Sequence, residues 1–516
     1  MRIWGPLTAV CLGTFMLLLD VSIVVVALPD MARALNASLS DLQWVIDVYA
    51  LALAALLLGA GAAADVLGRR RVHVAGTVVF ALASLGCGLA SNAGLLVTAR
   101  AVQGMGAAAM FATTLPLLGT MYQGKQRSVA LGMWGAVSGG AAAVGPVVGG
   151  LLTEGPGWRW IFFVNLPVSV ASVWLTLRVV PESKGAPGRR VDWAGTAAFA
   201  CFAGAATYAT VRAGDVGWTS ASAMGTYGMA ALCLFVFALV ERRATHPLLD
   251  MALLRRPALV GVLLGAFGFS VAAFGAVPYL SIWLQTVLGM SPLRGSLVLL
   301  PLAGTSFVVA AVGGRLLHGV AAGFVIGGGL LLVGIGGFCM AVLDAGSGWP
   351  ALIPGLALVG VGTGLVSPGL GGAALAAVPP ARAGMAGGAV NTFRQLGYAL
   401  GVAVLGTVLT SRMQDTLGPA AHAVAGGGAG SLPDMASDHM TSSHTAPDHM
   451  VSQHMVSEHM VRTAFASGLN MVAVVAGATG LVAGVLVLTL VRGRRERPSQ
   501  DSGDLGREHM SVAETV

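Results

Sequence analysis

Apolar residues in this chain fall in long blocks separated by short polar turns. A helix needs about 20 mostly apolar residues to cross a hydrocarbon core. Blocks of that length lie near 6–28, 44–64, 72–91, 96–121, 131–153, 161–180, 193–212, 223–240, 257–287, 294–313, 320–343, 351–377, 389–411 and 465–491, and they predict fourteen membrane-spanning helices. Met1-Arg2 before the first block looks like the start of a secretory leader, but the block's length and Asp20 inside it fit a retained span.

Three polar segments interrupt the pattern. Residues 181–192 form a charged linker, 241–256 an amphipathic one, and 412–464 an outer loop rich in Gly, Ser, His and Met. They divide the chain into a six-span unit over 1–181, a linker unit with two further spans over 182–256, a second six-span unit over 257–491 and a tail over 492–516. Two six-span halves are the architecture of a repeat-built secondary transporter.

Composition agrees. Hydrophobic residues make up 56% and charged residues 10% of the 516 residues, against about 25% charged in an ordinary globular chain. That excludes a set of soluble domains and a disordered chain. The formal charge of +7 comes from 29 Lys and Arg against 22 Asp and Glu, with no basic face interleaved with aromatics, so no nucleic-acid partner is expected. Arg69–Arg71, Lys125 and Arg127, Lys184, Arg189 and Arg190, Arg242, Arg243, Arg255 and Arg256, Arg315, Arg382 and Arg492–Arg497 alternate onto one side of the fourteen spans. Isolated cations such as Arg33, Arg159 and Arg294 fall on the other. The positive-inside rule then puts both termini in the cytoplasm. The five cysteines lie singly in apolar blocks without a CxxC pair and read as packing residues.

Several motifs carry chemistry. Gly61-Ala-Ala-Ala-Asp65-Val-Leu-Gly68-Arg69-Arg70-Arg71 is a tight turn between the second and third spans, with an acid at one helix end facing several cations. It resembles a signature of the major facilitator superfamily, with Val66 where a basic residue is usual. Arg100-Ala-Val-Gln103-Gly104-Met-Gly106 in the fourth span resembles that family's second signature, and Gly145-Pro146-Val-Val-Gly149-Gly150 in the fifth the one associated with antiporters. Leu19-Asp20-Val-Ser22 through Pro29, Trp158-Arg159-Trp160 through Asn165-Leu-Pro167, and Asn391-Thr-Phe-Arg394-Gln395-Leu-Gly397 are similar to elements of the fourteen-span drug:proton antiporter branch. The resemblance covers the chain except 412–464 and the tail. It implies an all-α polytopic membrane protein of the major facilitator fold.

Intramembrane charges are costly and rare, so each marks a candidate site. Asp20 in the first span and Arg100 in the fourth lie at similar depth and are expected to pair, with Asp47 near interfacial Trp44 as a further acid. Arg100 favours the charged acid and desolvation the neutral one, so Asp20, Arg100 and Asp47 are the proton-coupling candidates. Gly61, Asp65, Gly68 and Arg69 are candidates for a cytoplasmic latch, with Asp65 docking on the positive N-terminal end of the thirteenth span; a purely topological role for the arginines is the alternative. Gly145, Pro146, Gly149 and Gly150 bend a helix or let neighbours approach closely. Gln103, Tyr279, Gln285, Asn391, Arg394 and Gln395 are candidates to line a substrate cavity, or else to bond between helices.

Gly119 through Lys125 matches most of a phosphate loop, but Gln126 stands where Ser or Thr would bind magnesium and no strand precedes it. Histidine is expected to be absent from the spans, which removes haem ligation and a Ser-His dyad. Six of ten histidines sit in 412–464, where Asp448-His-Met-Val-Ser, Gln453-His-Met-Val-Ser and Glu458-His-Met-Val-Arg repeat every five residues. Soft-metal binding there is weighed against a tolerant disordered loop grown by repeat slippage, and no metal or other cofactor is expected. The expected function is proton-coupled export of small amphipathic compounds by a monomer in the bacterial cytoplasmic membrane, its partners being substrate, protons and lipid. Export of one endogenous metabolite, or a non-transporting sensor or assembly factor on the same scaffold, are the alternatives. No enzyme activity is expected.

Overall fold

Backbone polar groups inside a bilayer must be satisfied within their own segment, which leaves long apolar blocks the choice of helix. The computed structural model describes residues 4–182, 192–244, 253–316, 320–379, 383–417, 421 and 447–491. Most of the linker 181–192, residues 245–252 of the segment 241–256, Arg382, most of 412–464 and the tail 492–516 lie outside the described residues.

Seventeen α-helices follow in order: α1 (Gly5–Leu35), α2 (Leu39–Leu67), α3 (Arg69–Gly88), α4 (Ala93–Met121), α5 (Gly124–Glu154), α6 (Trp160–Phe163), α7 (Asn165–Val179), α8 (Trp193–Val216), α9 (Ala221–Arg243), α10 (Pro257–Phe274), α11 (Val277–Ile282), α12 (Pro292–Val298), α13 (Leu300–Leu316), α14 (Ala322–Met340), α15 (Ile353–Ala376), α16 (Ala383–Leu417) and α17 (Pro447–Leu490), with no strand among the described residues. A π-helical turn, Trp283–Val287, extends α11. Twelve helical segments among the described residues are long and apolar enough to cross a membrane, and α12 with α13, bent by 43°, makes a thirteenth. The remaining apolar block is the 31-residue α5, so every one of the fourteen blocks is helical.

Local sequence sets the helix ends. Ser38 and Asp41 form a reciprocal capping box on α2, the Asp41 N–H donating to Ser38 Oγ at 3.1 Å and the Ser38 N–H to Asp41 Oδ2 at 2.9 Å. Asn92 accepts from the Leu95 N–H at 2.9 Å to start α4. Gly68, between α2 and α3, has φ 103°, where a side chain would be strained.

Helices α1–α7 pack on one another, as do α10–α17, and α8 lies against both α2 and α16. One end of the bundle carries the Gly68 turn, the start of α1 and the ends of α4 and α7: the Leu7 N–H donates to Tyr122 Oη at 3.2 Å, and Arg70 to the Val180 carbonyl at 3.2 Å. We call this the basic end and the other the far end. The α10–α17 group is held by glycines. A Cβ on Gly336 would lie 2.8 Å from the Gly355 carbonyl oxygen of α15, and one on Gly337 2.8 Å from Gly477 Cα of α17, so the backbones touch directly.

Two expectations need correction. The loop foreseen over 412–464 is bounded by helix on both sides: α16 runs to Leu417 and α17 starts at Pro447, so the His-Met repeats belong to a 44-residue helix. Proline fits a first helical turn, and no Gly or Pro follows until Gly468. Histidine also enters a span. His73, one turn into α3, is buried, and its Nδ1 shares a 2.8 Å hydrogen bond with Thr113 Oγ1 of α4. Because α3 begins directly at Arg69, position 73 already lies inside the bundle.

Candidate functional site

Asp20 lies midway along α1 and Arg100 two turns into α4, and both are almost wholly buried. Antiparallel neighbours reach the same depth from opposite ends, and Arg100 Nη1 donates to Asp20 Oδ2 at 2.6 Å. Desolvation of two charges is offset only where the remaining donors and acceptors are also matched, and here they are. Gln103, one turn on from Arg100, donates to Asp20 Oδ1 at 2.9 Å and accepts from Arg100 at 2.8 Å. Asn165 donates to the same Oδ1 at 2.8 Å and to Ser84 Oγ at 3.0 Å. Arg100 Nε donates to the Val45 carbonyl at 3.1 Å, and the guanidinium lies over the Tyr49 ring, 4.1 Å from its centroid. Four helices thus converge on the network around this acid, α1, α3, α4 and the start of α7, with α2 against the arginine.

Asp47, two turns into α2, is buried to the same degree, yet neither carboxyl oxygen has a hydrogen-bond partner. One turn earlier on α2, Gln43 donates to Tyr279 Oη of α11 at 3.0 Å, so this face of α2 is turned to the other helix group.

Gln103, foreseen on a cavity wall, sits inside the Asp20 network. Tyr279 and Gln285 tie the two groups together towards the far end. Tyr279 accepts from Gln43 Nε2 of α2 at 3.0 Å and donates to the Val402 carbonyl at 2.5 Å, while Gln285 donates to the Val26 carbonyl of α1 at 2.9 Å. Asn391 donates to Gly387 of its own helix at 3.2 Å. Gln395 is half-buried on α16. Arg394 is also half-buried, with its guanidinium carbon 5.5 Å from the centroid of the Phe269 ring.

At the basic end Asp65 accepts two hydrogen bonds from Arg69, at 2.9 and 3.2 Å, and Arg69 donates to the Pro116 carbonyl at 3.3 Å. Arg70 and Arg71 both lie 3.6 Å from Glu182. Gly61 is half-buried with α4 nearby, Ala112 Cβ being 4.0 Å from where its own Cβ would stand. The residues leading into α16, where Asp65 was foreseen to dock, include 380–382 and lie outside the described ones. On α5, Gly145 and Gly149 abut α1 at Ser22 and Ile23, and Pro146 lies between them, half-buried. The adjacent Gly150 meets the other group: a Cβ there would be 2.6 Å from Leu293 Cα of α12.

Sequence reasoning missed Asn165, Ser84, Tyr49, Gln43 and Glu182. Asn165 alone carried a signal, as a polar residue inside an apolar block and inside a recognisable motif. A separate hollow of about 590 Å³ opens at the far end between α14, α16 and α17, lined by Asp344, Arg412, His459 and Asn470 among others.

Many apolar helices in two packed groups, with charge buried where they converge, define a polytopic membrane protein. Residues 10–402 match the Major Facilitator Superfamily, and the chain belongs to that family. It is 36% identical over 414 residues to "Multidrug resistance protein Stp" of Mycobacterium tuberculosis (strain CDC 1551 / Oshkosh), covering 80% of this chain and 77% of that one. To "Tetracenomycin C resistance and export protein" of Streptomyces glaucescens it is 33% identical over 513 residues, covering 94% and 91%. To "Puromycin resistance protein pur8" of Streptomyces alboniger it is 36% identical over 416 residues, covering 79% and 82%. Among solved structures, the human organic anion transporter MFSD10 (TETRAN) superposes with a TM-score of 0.60 at 16% identity, covering 94% of this chain and 100% of that one, a likeness of fold alone.

Proposed function

We propose that this protein is a proton-driven exporter of small amphipathic organic compounds, drugs and antibiotics among them, working as a single chain in the bacterial cytoplasmic membrane. The two groups, 1–181 and 257–491, rock against each other to give alternating access, with α8 and α9 as an inserted pair and both termini in the cytoplasm. The relatives' resistance and export names support the export direction. The observation that carries the coupling is the unlike treatment of two buried acids. Asp20 has three donors, one of them the cation Arg100, whereas Asp47 has none among the described residues. A carboxyl group that meets no donor is held at lower cost without charge, so we place the transported proton on Asp47 in this arrangement and charge on Asp20. Asp47 faces the seam between the groups, where rocking would wet it. Asp20 with Arg100, at the convergence of four helices, would sense that movement.

The far-end bonds of Gln285 to Val26 and Gln43 to Tyr279 support a state closed at that end. Asp65 with Arg69, on the turn that only Gly68 permits, would latch the basic end once the groups close there. A second reading, export of one endogenous metabolite, is favoured by the near full-length match to a relative named for tetracenomycin C.

The test is substrate-dependent proton movement in inverted vesicles. Vesicles of the unsubstituted protein should release protons when lipophilic drugs are added to a pre-formed gradient. Asp20→Asn and Asp47→Asn should each lower that release at least tenfold. Full proton-driven efflux by both variants would dismiss the coupling scheme.

A further inference from the structure

The α10–α17 group contains one ionised side chain deep within its helices. The stretches 257–287, 322–340, 353–376 and 463–490 contain no Asp, Glu, Lys or Arg. Arg294, Arg412 and Asp415 lie towards helix ends, and Arg462 stands just before the apolar stretch of α17. Arg394 is eleven residues into α16, about 16 Å from the basic end at 1.5 Å per residue. There it has no ion pair and no hydrogen bond among the described residues, and its one specific contact is the Phe269 ring at 5.5 Å. Neither α10, α15 nor the apolar stretch of α17, all packed against α16, offers a carboxylate. Thr392 donates to the Ala54 carbonyl of α2 at 3.3 Å, Gly388 packs on Leu58, and Gly397 packs on the backbone of Phe267 in α10. The acid facing this side from the other group, Asp47, lies nearer the far end, beside Tyr398.

A cation in this position with no protein partner is in want of an anion. It is only half-buried, so a ligand can reach it; Phe393 next to it in sequence and Phe267, whose backbone meets Gly397, are apolar and half-buried. We infer that Arg394 binds the anionic group of the transported compound, so that the substrate class includes organic acids: a carboxylate or phenolate on a flat apolar body. The guanidinium would take the anion bidentately, while the apolar walls take the ring system. This rests on the exporter reading, since it names the cargo of the same passage, and it explains why the charge of this group is left unpaired when that of the other is fully matched.

The experiment uses the purified full-length protein in detergent micelles and two fluorescent probes, 9-anthracenecarboxylate and the neutral 9-anthracenemethanol. The unsubstituted protein should bind the acid at least tenfold more tightly than the alcohol. Arg394→Gln should remove that preference by weakening the acid and leaving the alcohol unchanged, and Arg394→Lys should keep part of it. Arg412→Gln, in the far-end hollow, should change nothing. Equal binding of both probes by the unsubstituted protein, or a preference that survives Arg394→Gln, would overturn the inference. The first comparison stands even if the glutamine variant fails to fold. Proton-coupled flux measured in parallel separates the two readings. Loss of flux with an intact acid preference defeats only the exporter reading, and efflux of neutral drugs without an acid preference defeats only this inference.

Discussion

In the α1–α7 group, a buried arginine finds a carboxylate at 2.6 Å, a glutamine, a backbone carbonyl and a tyrosine face. In the α10–α17 group, the corresponding deep arginine finds one phenylalanine ring. The two groups also differ in what holds them together. The first converges four helices on a polar network, and the second presses glycine-lined backbones into contact, as at Gly336 and Gly355. A matched network has one favoured arrangement and fixes its helices. Backbone packing is indifferent to charge and leaves a cation free to serve a ligand. The comparison therefore separates a group whose buried charge is paired from one whose deep arginine has no ion pair among the described residues.

The largest effect should come from breaking the match. Arg100→Leu leaves the Asp20 carboxylate buried without its counter-charge and should cost about 3–5 kcal/mol, as removal of one partner of a buried pair does. Thermal unfolding in detergent reads it, and Asp20→Asn added to Arg100→Leu should recover most of the loss. Arg394→Leu should leave the unfolding temperature unchanged or raise it. A drop as large as that of Arg100→Leu would erase the contrast.

Glycine packing comes next. Gly336→Val places side-chain carbon against the α15 backbone and should cost about 1–3 kcal/mol, the usual range for overpacking. Gly140→Ala on α5, where nothing lies within 4 Å of the new Cβ, should be silent. Equal loss in both would show that the second group's glycines carry no special weight.

The smallest effect lies outside the membrane. In the turn after α14, the Ser347 hydroxyl and Gly346 N–H hold the Asp344 carboxyl below its ordinary value of 3.8. A carboxylate so lowered adds stability above its unfolded pKa and loses it as pH falls through the folded one. Ser347→Ala should thus be slightly less stable at neutral pH and converge with the parent in acid, by acid-scan unfolding. A gap that widens in acid would contradict the sign.

Sequence made the helices legible, because in a bilayer an apolar block of 20 residues has one backbone solution. The pairing of Asp20 with Arg100 was legible for the related reason that depth follows from counting along antiparallel spans. What stayed hidden was rotation about each helix axis. Gln103 looked equally suited to a cavity wall or a network, and only the packing of α1, α3 and α7 puts it in the network. Asp47, three residues after Trp44, fits an interfacial position or a coupling role equally well by counting, and it is the packing of α4, α8 and α16 on α2 that leaves it buried. Pro447 shows a further limit: block boundaries drawn from hydropathy ignore helix that continues through polar sequence.

The 44 residues of α17 span about 66 Å, against about 30 Å of hydrocarbon, so its first turns stand as a mast above the far face. Each five-residue repeat there adds about 7.5 Å of height and turns what precedes it by about 140°. Because the repeats precede the span, gain or loss of one lengthens or shortens the mast and re-aims the chain arriving from α16, while every membrane-embedded residue keeps its register. Length variation in this stretch would then be a change of bearing at the surface, not a fault in the transporter beneath it.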